Sequence, residues 1–146
     1  MEEFNELKKV QELFNSVNCT GTENNYFVAY KDMQKSNGMV SGMEYPYDAL
    51  LINQTEKGIG MFFLIQGGIV LTQKLEKMKL DKESYIFIPN EKIDSVKIKK
   101  YAILNSKIKR ICIDTEDKSY KLFAKLYEKD IPYQTENLLK FIEKYN

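Results

Sequence analysis

Between Ser95 and Ile113 the chain carries Lys97, Lys99, Lys100, Lys107, Lys109 and Arg110, with no Asp or Glu among them. Cations gathered in this way can attract phosphate groups or an acidic protein, provided that the backbone sets them on a common face. With Lys97 and Lys99 pointing out of one strand and Lys107 and Arg110 on the next, these four form the predicted anion-binding set. The plain alternative is a solvated sheet face, partly neutralised by acids from elsewhere in the fold. A wider asymmetry accompanies the cluster: residues 1–72 hold five Lys against nine acids, net −4, and residues 73–146 hold seventeen Lys plus Arg against twelve acids, net +5.

The rest of the chemistry is bounded by what the chain lacks. It has no histidine, which removes the commonest general base, the commonest metal ligand and every Ser-His or Cys-His nucleophile. Its two cysteines, Cys19 and Cys112, cannot supply a four-thiolate zinc site, and they read as buried or half-buried thiols rather than a disulfide. Gly58-Ile59-Gly60 falls short of a phosphate-cradling loop or a dinucleotide fingerprint. Asp114, Glu116 and Asp117 meet at a predicted turn without the ligand spacing of a calcium loop. These residues lead us to expect no catalytic group, no metal and no cofactor. An enzyme built on carboxylates and tyrosines alone is the competing class, and it would need a concave pocket where they converge.

Elements that could position the cations emerge from the apolar pattern. The chain has the length of one domain, residues 1–146, and 43% hydrophobic and 12% aromatic residues are enough for a core. Phe4, Leu7, Val10, Leu13, Phe14 and Val17 follow a helical period, which predicts an N-terminal helix over 1–18 with Glu2, Glu3 and Glu6 in its first turn. Its stripe docks on its own domain or forms a dimer seam. Tyr26 to Tyr30 reads as a strand, and 32–46 as a loop whose Met33, Met39 and Met43 fill gaps. Ala49–Ile52 and Ile59–Ile65 flank a polar hairpin loop, and a further strand is predicted from Ile69 to about Leu75. Residues 74–82 are open to a strand pair or a short helix.

From Tyr85 the pattern tightens. Pro89 ends the run Tyr85–Ile88, Asn90 to Lys92 make a turn, and Val96 and Ile98 alternate with Lys97 and Lys99. Ala102 to Asn105 turn, Ile111 and Ile113 alternate with Arg110 and Cys112, and Ile108 falls on the opposite register, which points to a bulge or a barrel corner. After a turn at Thr115 to Lys118, Tyr120, Leu122, Ala124 and Leu126 share a face opposite Lys121 and Lys125, Phe123 being the exception. Leu138, Phe141, Ile142 and Tyr145 form the apolar face of a last helix, with Asp130 as cap and Pro132 in the first turn.

The segment Tyr85-Ile-Phe-Ile-Pro-Asn-Glu-Lys-Ile-Asp-Ser-Val-Lys-Ile, followed by KIKRICIDTEDKSYKLFA and the closing helix, resembles the bacterial pleckstrin-homology-like (PH-like) domains. The likeness spans about residues 48–145 and departs from that pattern at Lys118, where many such turns carry glycine, and in the added N-terminal helix. It implies a mainly β (α+β) fold over 48–146: a partly open antiparallel β-barrel of about seven strands, capped by a C-terminal helix. It also implies a fold used mainly for binding, and it transfers no catalytic residue.

The expected function is therefore a non-catalytic binding or adaptor module that recognises a protein or peptide through a barrel edge. The alternative is a peripheral membrane-surface module whose lysine-rich strand face meets anionic headgroups. Nucleic acid is not an expected partner, since the whole chain is nearly neutral at +1 and Tyr101 does not mark a stacking platform. Self-association through the N-terminal helix or a strand edge is open. No window approaches the roughly 18 to 20 apolar residues of a spanning helix. The acidic start MEEFNELKKV is unlike a signal peptide, so a cytoplasmic location is expected.

Overall fold

A computed structural model describes residues 3–33, 46–68 and 71–146. The predicted loop at 32–46, with Met39 and Met43, lies almost wholly outside the described residues. Helix α1 spans Leu7–Ser16. It begins later than its apolar stripe because Phe4 is drawn into the core and its carbonyl accepts a hydrogen bond from the Tyr133 hydroxyl. Glu6 therefore stands at the N-cap position, and Glu3 lies before the helix rather than in its first turn. Asn18, at φ 59°, ends the helix in the left-handed region, and the Cys19 N–H turns back to the Phe14 carbonyl at 2.9 Å.

Seven strands follow: β1 Asn24–Lys31, β2 Ala49–Thr55, β3 Gly58–Gln66, β4 Met78–Pro89, β5 Ile93–Ala102, β6 Asn105–Thr115 and β7 Ser119–Lys125. They form one antiparallel sheet in the order β4-β3-β2-β1-β7-β6-β5. Among the described residues β4 and β5 do not pair, so the sheet curls without closing. The chain ends in helix α2, Gln134–Tyr145. Among the described residues no helix is long and apolar enough to cross a membrane.

Strands β1 to β3 are buried on both faces, which is why they read as unbroken apolar runs. On one face Tyr26, Val28, Leu51, Phe62 and Leu64 pack under α1 with Phe4, Val10 and Phe14. Phe4, Val10 and Phe14 of the helix stripe are thus spent within the chain, while Leu7 stays 37% exposed. On the other face Phe27, Leu50, Ile52, Ile59 and Met61 meet Ile111, Ile113, Tyr120 and Leu122 from the far half of the curl, together with Leu138 and Phe141 of α2.

α2 sits where the sheet splits. β1 pairs with β7 only at Tyr30↔Phe123 and Lys31↔Leu122. Beyond that point the amides of α2 stand in for a strand: the Val28 N–H donates to Gln134 Oε1 at 2.8 Å, while Gln134 Nε2 donates to the carbonyls of Val28 at 2.9 Å and Lys125 at 3.0 Å. The Tyr26 N–H donates to Asn137 Oδ1 at 3.2 Å. Asp130 does not cap this helix. Turns closing on Glu128 and Ile131 first carry Ile131 and Tyr133 into the core beside α1, so the helix begins at Gln134 and Pro132 lies before it.

Two other expectations change, and a third is met in part. Asn53, Gln54 and Thr55 belong to β2 rather than to a loop, because their polar groups find buried partners, Asn25 Nδ2 donating to Gln54 Oε1 at 2.7 Å and Asn53 Nδ2 to the Cys19 carbonyl at 2.9 Å. The strand predicted from Ile69 is absent over 71–74, where Gln73 Nε2 instead donates to the carbonyls of Lys31 and Asp48; Leu75–Lys77 is a 3-10 turn and β4 starts at Met78. Ile69 and Val70 lie outside the described residues. The irregularity expected at Ile108 is present on the β5 side only: the pairing shifts between Lys100↔Lys109 and Ala102↔Asn105, so residues 106–108 lie opposite Tyr101 alone, while β6 and β7 stay in register from Ile108↔Lys125 to Asp114↔Ser119.

Candidate functional site

Period-two pleating decides which cations meet. Lys97 pairs with Cys112 and Lys99 with Arg110 across β5 and β6, and Cys112 pairs with Lys121 across β6 and β7. Ile98, Ile111, Ile113 and Leu122 point inward, so Lys97, Lys99, Arg110 and Lys121 share the outer face. Lys107 is removed from the predicted set, because it lies three residues from Arg110 on one strand and so on the opposite face. Lys121 takes its place, and its alternation with Tyr120 and Leu122 was the available signal.

The four cations surround a hollow of about 240 Å³ whose lining also includes Cys112 and Asp32. Asp32 is buried, its N–H donating to the Lys121 carbonyl at 2.9 Å, and it is the one carboxylate of the lining among the described residues. Its Oδ2 lies 3.0 Å from Arg110 Nε, which fixes the guanidinium. The same guanidinium lies over the Tyr101 ring at 4.7 Å. Tyr101, Phe123 and Tyr30 continue as a row with centroids 5.2 and 5.0 Å apart, which explains Phe123 as a packed outer-face residue.

Beside the hollow, Asp114 accepts hydrogen bonds from Ser119, from Ser95 at 3.1 Å and from the Cys112 thiol at 3.5 Å. The Ser119 hydroxyl chiefly, then Cys112, Ser95 and the Lys97 charge, hold its carboxyl below the usual range. Burial and then Asp114 push the Cys112 thiol up, against the pull of Lys121 and Lys97. Both cysteines are free thiols.

A second hollow of about 480 Å³ gathers Tyr30, Glu76, Glu128 and Asp130, a convergence of the kind the carboxylate enzyme called for. Burial raises the Glu128 carboxyl, with Asp130 and Glu76 adding to the shift and Tyr30 and Lys125 opposing it. A carboxyl raised in the folded state stabilises the fold fully below its unfolded pKa and loses that contribution as pH rises through the folded value. Glu128→Gln is therefore expected to gain melting temperature relative to wild type as pH goes from 4 to 7, and a difference that is constant with pH would contradict the burial.

No protein-family model, curated protein or solved structure matches the chain. The fold and the site define a mainly β protein with one curled seven-stranded sheet, a helix on each side of β1, and a cationic hollow on its outer face. Among the described residues no group of three or more His, Cys, Asp or Glu is placed to hold a metal ion.

Proposed function

We propose that the chain is a PH-like, non-catalytic binding module that recognises an extended acidic protein segment by strand addition to β5. Supporting the PH-like reading are the strand order, with β4 and β5 as the two edges, and the C-terminal helix set into the split between β1 and β7. The observation that carries the reading is the state of the β5 edge. Six residues, Ser95 to Lys100, run in unbroken register with β6, and among the described residues no strand covers their other side. Their outward N–H and C=O groups are a template for another strand.

β4 is the poorer edge. Its register jumps between Met61↔Ile86 and Phe63↔Asp81, and the Ser84 hydroxyl takes the Phe63 N–H at 2.7 Å, so a bulge interrupts the row of edge groups. Charge selects the partner at β5. A segment lying there places alternate side chains beside Lys97 and Lys99, which favours Asp or Glu and a small anionic group in the hollow. Antiparallel self-pairing of two β5 strands would set lysines against lysines, which disfavours a second copy of this chain as the partner.

Selection from a random peptide library is expected to return acidic, β-prone sequences whose affinity falls as salt rises. The surface variant Lys97→Glu/Lys99→Glu should weaken them by about tenfold or more, because like charges then face each other. Peptides with no acidic bias would contradict the reading.

A further inference from the structure

We infer that the β5–β6 hairpin tip inserts into an anionic lipid bilayer. Ala102 pairs with Asn105, so Ile103 and Leu104 form a two-residue loop, and they are 91% and 98% exposed. Polar residues with glycine are usual in such a loop, and two adjacent aliphatic side chains held fully in water forgo the burial that Ile and Leu normally gain. Behind them stand Lys100, Lys107 and Lys109, the cations that pleating excludes from the hollow. Lys100 and Lys109 are direct cross-strand partners, a like-charge pair that costs stability when nothing external neutralises it. Among the described residues none of the three makes an ion pair.

The surroundings complete an amphipathic probe. The Leu126 N–H donates to the Lys107 carbonyl at 2.9 Å, which brings Tyr127, 71% exposed, alongside the hairpin. Tyrosine favours the headgroup level of a bilayer. The next residue, Glu128, turns one carboxylate oxygen into the interior and makes no ion pair with the three lysines among the described residues. Apolar tip, aromatic shoulder and basic collar follow one another along the hairpin in the order in which acyl chains, headgroup and anionic surface follow one another in a membrane. A protein groove would accommodate Ile103 and Leu104 but has no such use for three unneutralised lysines behind them. The inference is independent of strand addition, which uses the edge of β5 rather than its end.

The chain contains no tryptophan, so Leu104→Trp supplies a single reporter at the tip. With vesicles of phosphatidylserine and phosphatidylcholine its emission should shift to the blue and be quenched by lipids brominated on the acyl chains, whereas phosphatidylcholine alone should give little of either. In co-sedimentation of the otherwise native chain, each of Lys100→Gln, Lys107→Gln and Lys109→Gln should lower partitioning about fivefold, the worth of one lysine at an anionic surface. Ile103→Ser/Leu104→Ser should abolish partitioning and leave the melting temperature unchanged. The inference is overturned if the tryptophan stays solvated on anionic vesicles, or if Ile103→Ser/Leu104→Ser sediments like wild type. It is overturned equally if Glu116→Trp, on the β6–β7 turn, shifts as much, or if the blue shift of Leu104→Trp arises without lipid as protein concentration rises, which would mean self-association.

Discussion

Gln134→Leu is expected to destabilise the fold by about 3 to 5 kcal/mol, because three backbone groups, two buried and one part-buried, lose their partners at once and a buried group costs roughly 1 to 3 kcal/mol when left unmade. Gln134 is fully buried and supplies an acceptor for the Val28 N–H and a donor for the Val28 and Lys125 carbonyls. Leucine preserves most of the volume and none of the hydrogen bonding. The expected readout is a lower urea midpoint with an unchanged slope. Gln134→Glu retains an acceptor for Val28 but loses both donated bonds and brings a carboxylate into the split, so it should be no better than leucine at neutral pH. Asn137→Ala removes two part-buried bonds at the rim of the same split, the one accepted from the Tyr26 N–H and the one donated to the Tyr133 carbonyl, and should cost about 1 to 2 kcal/mol. A loss below about 1 kcal/mol for Gln134→Leu would mean that β1 and β7 can close on each other without the α2 amides between them.

Phe14→Ala is the second large effect, expected at about 3 to 5 kcal/mol, the range for truncating a buried phenyl ring. Phe14 is fully buried and meets Phe62 at 5.2 Å and Tyr26 at 5.7 Å between ring centroids, so the lost ring leaves a cavity between α1 and the sheet. Leu7→Ala, on a residue 37% exposed at the start of the same helix, should cost about 1 kcal/mol or less. This contrast separates an internally docked helix from a dimer seam. If α1 were a seam, the melting temperature of the wild type would rise with protein concentration and Leu7 would matter as much as Phe14.

How much of this could be read beforehand followed from which faces are wet. β5, β6 and β7 have one solvated face, so Lys97, Lys99, Arg110 and Lys121 alternate visibly with Ile98, Ile111 and Leu122, and the two-residue period was enough to place them. It was also enough to exclude Lys107, which was assigned to the same strand as Arg110 but stands three residues from it, an odd spacing that the two-residue period does not place on one face. β1 to β3 gave apolar runs without alternation because α1 covers their second face. Asn53 to Thr55 looked like a loop because amide pairing across β1 and β2 leaves no hydrophobic trace. Asp32 joined the site through a contact between residues 78 positions apart, Asp32 with Arg110, and the hydrogen bonds of Gln134 to β1 span a separation of 106; neither has a local signature. Ile103 and Leu104 were plain in the sequence as the centre of a turn, but their exposure emerged only once Ala102 and Asn105 were seen to pair.

Amide hydrogen exchange with a library-selected acidic peptide at saturation tests the central claim most directly. Alternate amides between Ser95 and Lys100, those that face away from β6, should slow on binding, while the β4 edge exchanges as before. Protection along β4, or binding that leaves the β5 amides unchanged, would contradict strand addition at β5.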